Sequence, residues 1–137
     1  MTDGASARPD APFGVGKSRL DSAEVRATLR GAGLRPRHRL SQNFLADIDV
    51  LEGILAEAAP TPGRHILEIG PGLGLLTGGL LDAGAAVTAV ELDRGLAAFM
   101  RAGFEGPLAT AETDGQDAHG ALRLVEGDAL DQDLVSL

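Results

Sequence analysis

His65-Ile66-Leu67-Glu68-Ile69-Gly70-Pro71-Gly72-Leu73-Gly74 decides how the rest of the chain is read. Four of its first five residues, Ile66 to Ile69, suit a short buried strand. Three glycines at alternating positions follow, and then a leucine-rich stretch from Leu75 to Leu81. Strand, glycine turn and helix in that order open a βαβ unit, at whose turn a ligand can approach the backbone closely. Glycine suits such a turn because a Cβ would obstruct both the tight bend and the ligand.

The spacing separates two kinds of cofactor turn. A dinucleotide fingerprint, Gly-x-Gly-x-x-Gly, would place its third glycine at position 75, which is Leu75. The pattern present, Glu68-x-Gly70-x-Gly72-x-Gly74, resembles instead the first motif of S-adenosylmethionine (SAM) dependent methyltransferases. By analogy with dinucleotide folds, the second strand should end in an acid that holds ribose hydroxyls, about 20 residues on. Ala85 to Val90 is that strand, and Glu91 closes it. A glycine-rich turn with no ligand is the plainer alternative.

Composition sets the bounds. The chain has 137 residues, 44% of them hydrophobic and 23% charged, enough for one domain with a real core. It has no cysteine, hence no disulfide framework and no thiolate metal site. His38, His65 and His119 are too far apart in sequence to show ligand spacing, so no metal is expected. No apolar run reaches membrane-spanning length and the amino terminus lacks a signal-peptide core, so the expectation is a cytoplasmic protein with no membrane partner.

The net charge of −8 argues against a nucleic-acid partner, but its distribution does not. Residues 1–43 hold eight Lys or Arg against four acids, whereas residues 44–137 hold four against sixteen. A basic arm on an acidic body can contact phosphate, and its densest part is Arg35-Pro36-Arg37-His38-Arg39. A solvated charged tail is the other reading.

In chain order, residues 1–18 are rich in Gly, Ala, Pro and Ser and are expected to be a disordered tail. Gly14-Val15-Gly16-Lys17-Ser18 looks like the end of a P-loop, but position 11 is Ala11 and prolines flank it, so that reading is rejected. A helix is expected over Asp21–Arg30. A second is expected after Asp47, with Ile48, Leu51, Ile54, Leu55 and Ala58 on one face and Pro60-Thr61-Pro62-Gly63 as its stop. The helix from Leu75 to Asp82 carries Gly78-Gly79 in its interior, for which close packing on the sheet is the expected reason. Asp93 can cap a further helix through Arg101, residues 103–120 read as a loop, and Leu122–Glu126 reads as a third strand.

Four motifs, in order, carry a more specific resemblance: Gln42-Asn43-Phe44-Leu45, Leu67-Glu68-Ile69-Gly70-Pro71-Gly72-Leu73-Gly74, Val90-Glu91-Leu92-Asp93 and Glu126-Gly127-Asp128-Ala129-Leu130. Together they resemble the amino-terminal part of the rRNA adenine N6,N6-dimethyltransferases of the small ribosomal subunit. The large-subunit adenine methylases of macrolide resistance have similar motifs and remain an alternative, as does a non-enzymatic dinucleotide- or SAM-binding module.

The resemblance implies an α/β, Rossmann-like SAM-dependent methyltransferase fold, here partial, with the first three strands of a mostly parallel sheet and flanking helices. Residues 19–137 would form a SAM-binding domain cut short of the catalytic motif and the carboxy-terminal domain. SAM would be the cofactor, contacted by Asn43 and Leu45, with Gly70 and Gly72 against its methionine moiety, Glu91 at the ribose and Asp128 at the adenine amino group. Taken singly, Asn43 can be a turn residue, Phe44 a core anchor and Asp128 a helix cap. The implied activity is dimethylation of adenine amino groups in small-subunit (16S-type) rRNA during ribosome biogenesis, by an enzyme monomeric at full length. Arg35, Arg37 and Arg39 are the candidate RNA contacts.

The departures are specific. Ser41 stands where family members usually have glycine, and the 103–120 loop is longer and more acidic than the resemblance leads one to expect. The family's catalytic Asn-Leu-Pro-Tyr or Asn-Leu-Pro-Phe has no counterpart, since no Asn follows Asn43, no Pro follows Pro107 and there is no Tyr. The sequence thus reads as the cofactor half of a site without a catalytic residue of its own, and the chain by itself is expected to be inactive.

Overall fold

The computed structural model describes residues 22–35, 48–104 and 120–137. The expected tail over residues 1–18, the cap positions Asp21 and Asp47 and residues 105–119 of the expected loop lie outside them, as do Asn43, Phe44, Leu45, Arg37 and Arg39. The described elements run α1 (Ser22–Gly31), α2 (Ile48–Ala58), β1 (His65–Ile69), α3 (Leu75–Asp82), β2 (Ala86–Glu91), α4 (Arg94–Gly103) and β3 (Leu122–Glu126). A 3-10 turn at Ala129–Asp131 follows.

All three strands are parallel, in the order β1-β2-β3. Each crossover carries a helix, as parallel neighbours require. Register puts Ile66 beside Val87 and Val87 beside Leu122, so one face of the sheet presents an apolar row. Leu80 and Leu81 from α3 and Met100 from α4 pack on that face in one buried cluster with Val87, Ala89, Phe104 and Leu122. Both crossover helices therefore lie on the same side of the sheet, as successive right-handed connections in one direction demand.

The glycine pair in α3 has a different reason from the one expected. A Cβ on Gly79 would stand 2.7 Å from Leu55 Cδ1, so this glycine admits α2 rather than the sheet. A Cβ on Gly78 would meet nothing within 4 Å. The apolar face predicted for α2 also narrows: Leu51 is buried and Leu55 packs on the core, while Ile54 is exposed. Neighbouring helices override a simple periodic stripe because burial depends on where a partner exists.

A second, smaller cluster joins Leu29 of α1, Leu73 of the glycine turn and Leu96 of α4, with Leu34, Leu75 and Phe99 against it. It seats α1 beside the turn, so the chain passes next to the turn as it reaches Arg35.

Candidate functional site

The site is built from the backbone outward. Gly70, Gly72 and Gly74 have φ values of 71°, 59° and 86°, left-handed conformations that disfavour side chains. The turn they form is stitched to the neighbouring strand: the Gly70 N–H donates to the Val90 carbonyl at 2.9 Å. On the other side of β2, the Gly127 N–H donates to the Glu91 carbonyl, also at 2.9 Å. The last two carbonyls of β2 thus hold the turns that follow β1 and β3. Gly70, Gly72, Glu91 and Asp128 all gather at the carboxyl ends of parallel strands, where open α/β sheets bind ligands.

Glu91 is buried and holds the turn directly. Its Oε2 accepts from the Gly72 N–H at 3.2 Å and its Oε1 from the Asp93 N–H at 2.9 Å. A carboxylate has about four lone-pair directions, so these bonds leave acceptor capacity for a ligand. Asp93, expected as a cap, is one: its Oδ1 accepts from the N–H groups of Gly95 at 2.7 Å and Leu96 at 3.1 Å. Asp128 also caps, with Oδ1 accepting from the Leu130 N–H at 2.9 Å. Its plainer reading is therefore realised in the geometry, at the end of the strand where the resemblance puts the adenine contact.

The space around the turn is asymmetric. Among the described residues a Cβ on Gly70 would meet nothing within 4 Å, whereas one on Gly74 would lie 2.6 Å from both Met100 Sδ and Phe104 Cε2. The first glycine faces open space and the third faces the core. α3 begins at this turn with Gly74 as its N-cap, and among the described residues no side chain caps it. That end of the helix carries its partial positive charge.

In the sequence Glu68 is one letter of the glycine motif, and the motif itself marks no role for it. The structure places it on the helix-covered face of β1, buried, where its Oε2 accepts the Thr77 hydroxyl proton at 2.6 Å. Burial pushes its carboxyl up to about 7; the Thr77 hydrogen bond opposes this rise and the Glu91 carboxylate adds to it. An available signal was its parity: Glu68 alternates with Ile66 on the strand, so an apolar-facing position holds an acid. Of the arm, Arg35 is exposed. Among the described residues no group of His, Asp or Glu is arranged to hold a metal ion, and no helix is long and apolar enough to cross a membrane.

The chain is 43% identical over 99 residues to the ribosomal RNA small subunit methyltransferase A of Methylococcus capsulatus, covering 72% of this chain and 34% of that protein. The protein of the same name from Deinococcus radiodurans is 37% identical over 137 residues, covering 100% of this chain and 40% of the relative. That of Leifsonia xyli subsp. xyli is 41% identical over 111 residues, covering 81% and 37%. The chain thus spans between a third and two-fifths of the length of these curated relatives. Among solved structures, a glycopeptide N-methyltransferase complexed with sinefungin is 29% identical with a TM-score of 0.43, over 57% of this chain and 28% of that one. The model of the family described as ribosomal RNA adenine dimethylase matches residues 33–136, and the chain belongs to that family.

Proposed function

We propose that this chain forms the SAM-binding part of an rRNA adenine N6-methyltransferase that dimethylates adenines of the small-subunit rRNA. The observation that carries it is the tie between Glu91 and Gly72, which places an acid within one hydrogen bond of a glycine turn whose first glycine, Gly70, borders open space among the described residues. The small-subunit name borne by the relatives supports the choice of rRNA.

The residues fit SAM. The open side of Gly70 admits the methionine moiety against backbone, and the uncapped start of α3 favours its carboxylate. Glu91 has acceptor capacity left for the ribose hydroxyls, and Asp128 stands at the end of the third strand for the adenine amino group. Asn43 and Leu45 are proposed as further contacts from the amino-terminal side. When bound, SAM supplies a methyl group on a sulfonium.

What these residues do is bind and orient. An adenine amino nitrogen is a weak nucleophile, so the base must leave its helix and be aligned with the methyl group. The Asn-Leu-Pro-aromatic motif that the resemblance implies for that task has no counterpart in this sequence. The 137-residue chain alone is therefore proposed to bind cofactor without transferring methyl groups, and labelled transfer from SAM to rRNA by this chain would overturn that. Titration calorimetry tests the cofactor site: Glu91→Ala should weaken SAM binding by at least about tenfold, for lost charge-assisted hydrogen bonds. Equal affinity in that variant would remove Glu91 from the site. The basic arm has its own test. Replacing Arg35, Arg37 and Arg39 by Ala should weaken RNA binding and flatten its salt dependence, because each phosphate contact releases counterions. An unchanged salt slope would make the arm a solvated tail.

A further inference from the structure

The glycine turn is held by two acids, Glu91 and Glu68. Glu91 pins the middle of the turn through the Gly72 N–H. Glu68 and Thr77 span it from outside: Glu68 precedes Gly70 on β1, Thr77 follows Gly74 on the first turn of α3, and one 2.6 Å hydrogen bond joins them. That bond fixes how far apart the strand and helix stand, and so the width of the turn between them. Both residues are buried.

The two acids also share a face of the sheet. Glu68 pairs in register with Ala89, and Glu91 lies two residues further along that same face. Other charged groups described at this end of the sheet have partners of their own: Glu126, in register with Glu91, meets Arg94 and Arg101, and Asp128 caps the turn after β3. Asp93 caps α4, and Arg94 reaches out to Glu126 with its side chain almost fully exposed. Thr77 is the group that α3 presents to Glu68, and it is neutral.

We propose that Glu68 is a positioning residue of the cofactor site, bracing the glycine turn through Thr77, and that release of its proton is coupled to the arrival of cationic SAM. The inference rests on the SAM reading above. SAM carries a sulfonium and an ammonium against one carboxylate, a net positive charge. Positive charge beside the turn favours the ionised form of a buried acid. By linkage, ionisation of that acid must favour the cation equally. The proton goes to solvent and no bond is made or broken in the cofactor. Because the Glu68 carboxyl is raised to about 7, the coupling falls in a range where binding is readily measured.

The test is SAM affinity by calorimetry on the 137-residue chain between pH 6 and pH 8, in buffers of different ionisation enthalpy. The wild type should release a net fraction of a proton near pH 7 and bind about tenfold more weakly at pH 6 than at pH 8. Glu68→Gln keeps the side-chain volume and an oxygen for the Thr77 hydroxyl. It still feels any titration of SAM itself, so its difference from wild type isolates Glu68; its pH slope should be close to flat. Thr77→Val removes the bond that favours the ionised acid, so the midpoint of the pH dependence should move upward and affinity at pH 7 should fall severalfold. The same slope in Glu68→Gln as in wild type, an unmoved midpoint in Thr77→Val, or no proton release by the wild type would each overturn the coupling. If the wild type fails to bind SAM even at pH 8, the cofactor reading itself falls, and the coupling with it.

Discussion

Gly70 and Gly74 share one motif and one backbone conformation, yet a methyl group added at each would meet different surroundings. At Gly70 the added Cβ would stand in open space, where the proposed ligand lies. Left-handed backbone costs a non-glycine residue roughly 1–2 kcal/mol, so Gly70→Ala should destabilise only by that amount while obstructing SAM. At Gly74 the same strain is joined by 2.6 Å contacts with Met100 and Phe104, inside the core. Overpacking of that kind typically costs a further 1–3 kcal/mol, approximately. Gly74→Ala should therefore lower the unfolding midpoint well beyond Gly70→Ala, and Gly70→Ala should lose more SAM affinity than stability. Thermal unfolding and calorimetry on the pair check this, and a reversed order would mean that the open space beside Gly70 is not the cofactor path.

At the scale of elements, α3 and β3 were legible to the residue and β1 to within one, because strand-turn-helix punctuation and apolar runs are local signals, but the burial expected of β1 was not, since Glu68 is its one buried residue. The grouping of Gly70, Gly72 and Glu91 was legible too, since parallel strands bring their carboxyl ends together whatever their loops contain. What the sequence did not disclose depends on partners distant in the chain. Gly79 answers to Leu55 of α2, 24 positions earlier, and no local pattern names that contact. Glu68 was hidden in the same way: as a motif residue it looked like part of the turn, while the structure makes it a buried brace on Thr77. Burial gives that brace a consequence for β1 and α3. The acid's pKa rises from 4.5 to about 7, so the folded chain holds the proton more tightly than the unfolded one. Stability from this group is then fully present below about pH 4.5 and is lost as pH rises through 7, by on the order of 3 kcal/mol. Glu68→Gln should flatten that decline and unfold later than wild type at pH 8. Urea midpoints measured from pH 5 to pH 8 decide it, and parallel curves for the two proteins would show that Glu68 is not the titrating group.

The molecule as a whole is uneven in how its sheet is closed. β2 is paired on both sides and nearly all buried, whereas β1 pairs only with β2 among the described residues. Its other edge presents a row of backbone N–H and C=O groups to whatever can pair with them. The face of β1 turned away from α3 and α4 carries Leu67 and Ile69, which are 40% and 58% exposed. An open edge with apolar side chains on it is a template for strand addition, and the acidic balance of residues 44–137 is the main opposing force. The 137-residue chain should therefore self-associate, more strongly as salt screens its negative charge. Sedimentation velocity across a range of concentrations and salt should show mass above that of the monomer. Ile69→Lys, which puts a charge on the exposed face next to the edge, should return the chain towards monomer. A wild-type chain that stays monomeric at high concentration and salt, with a sharp unfolding transition, would show that the β1 edge is covered.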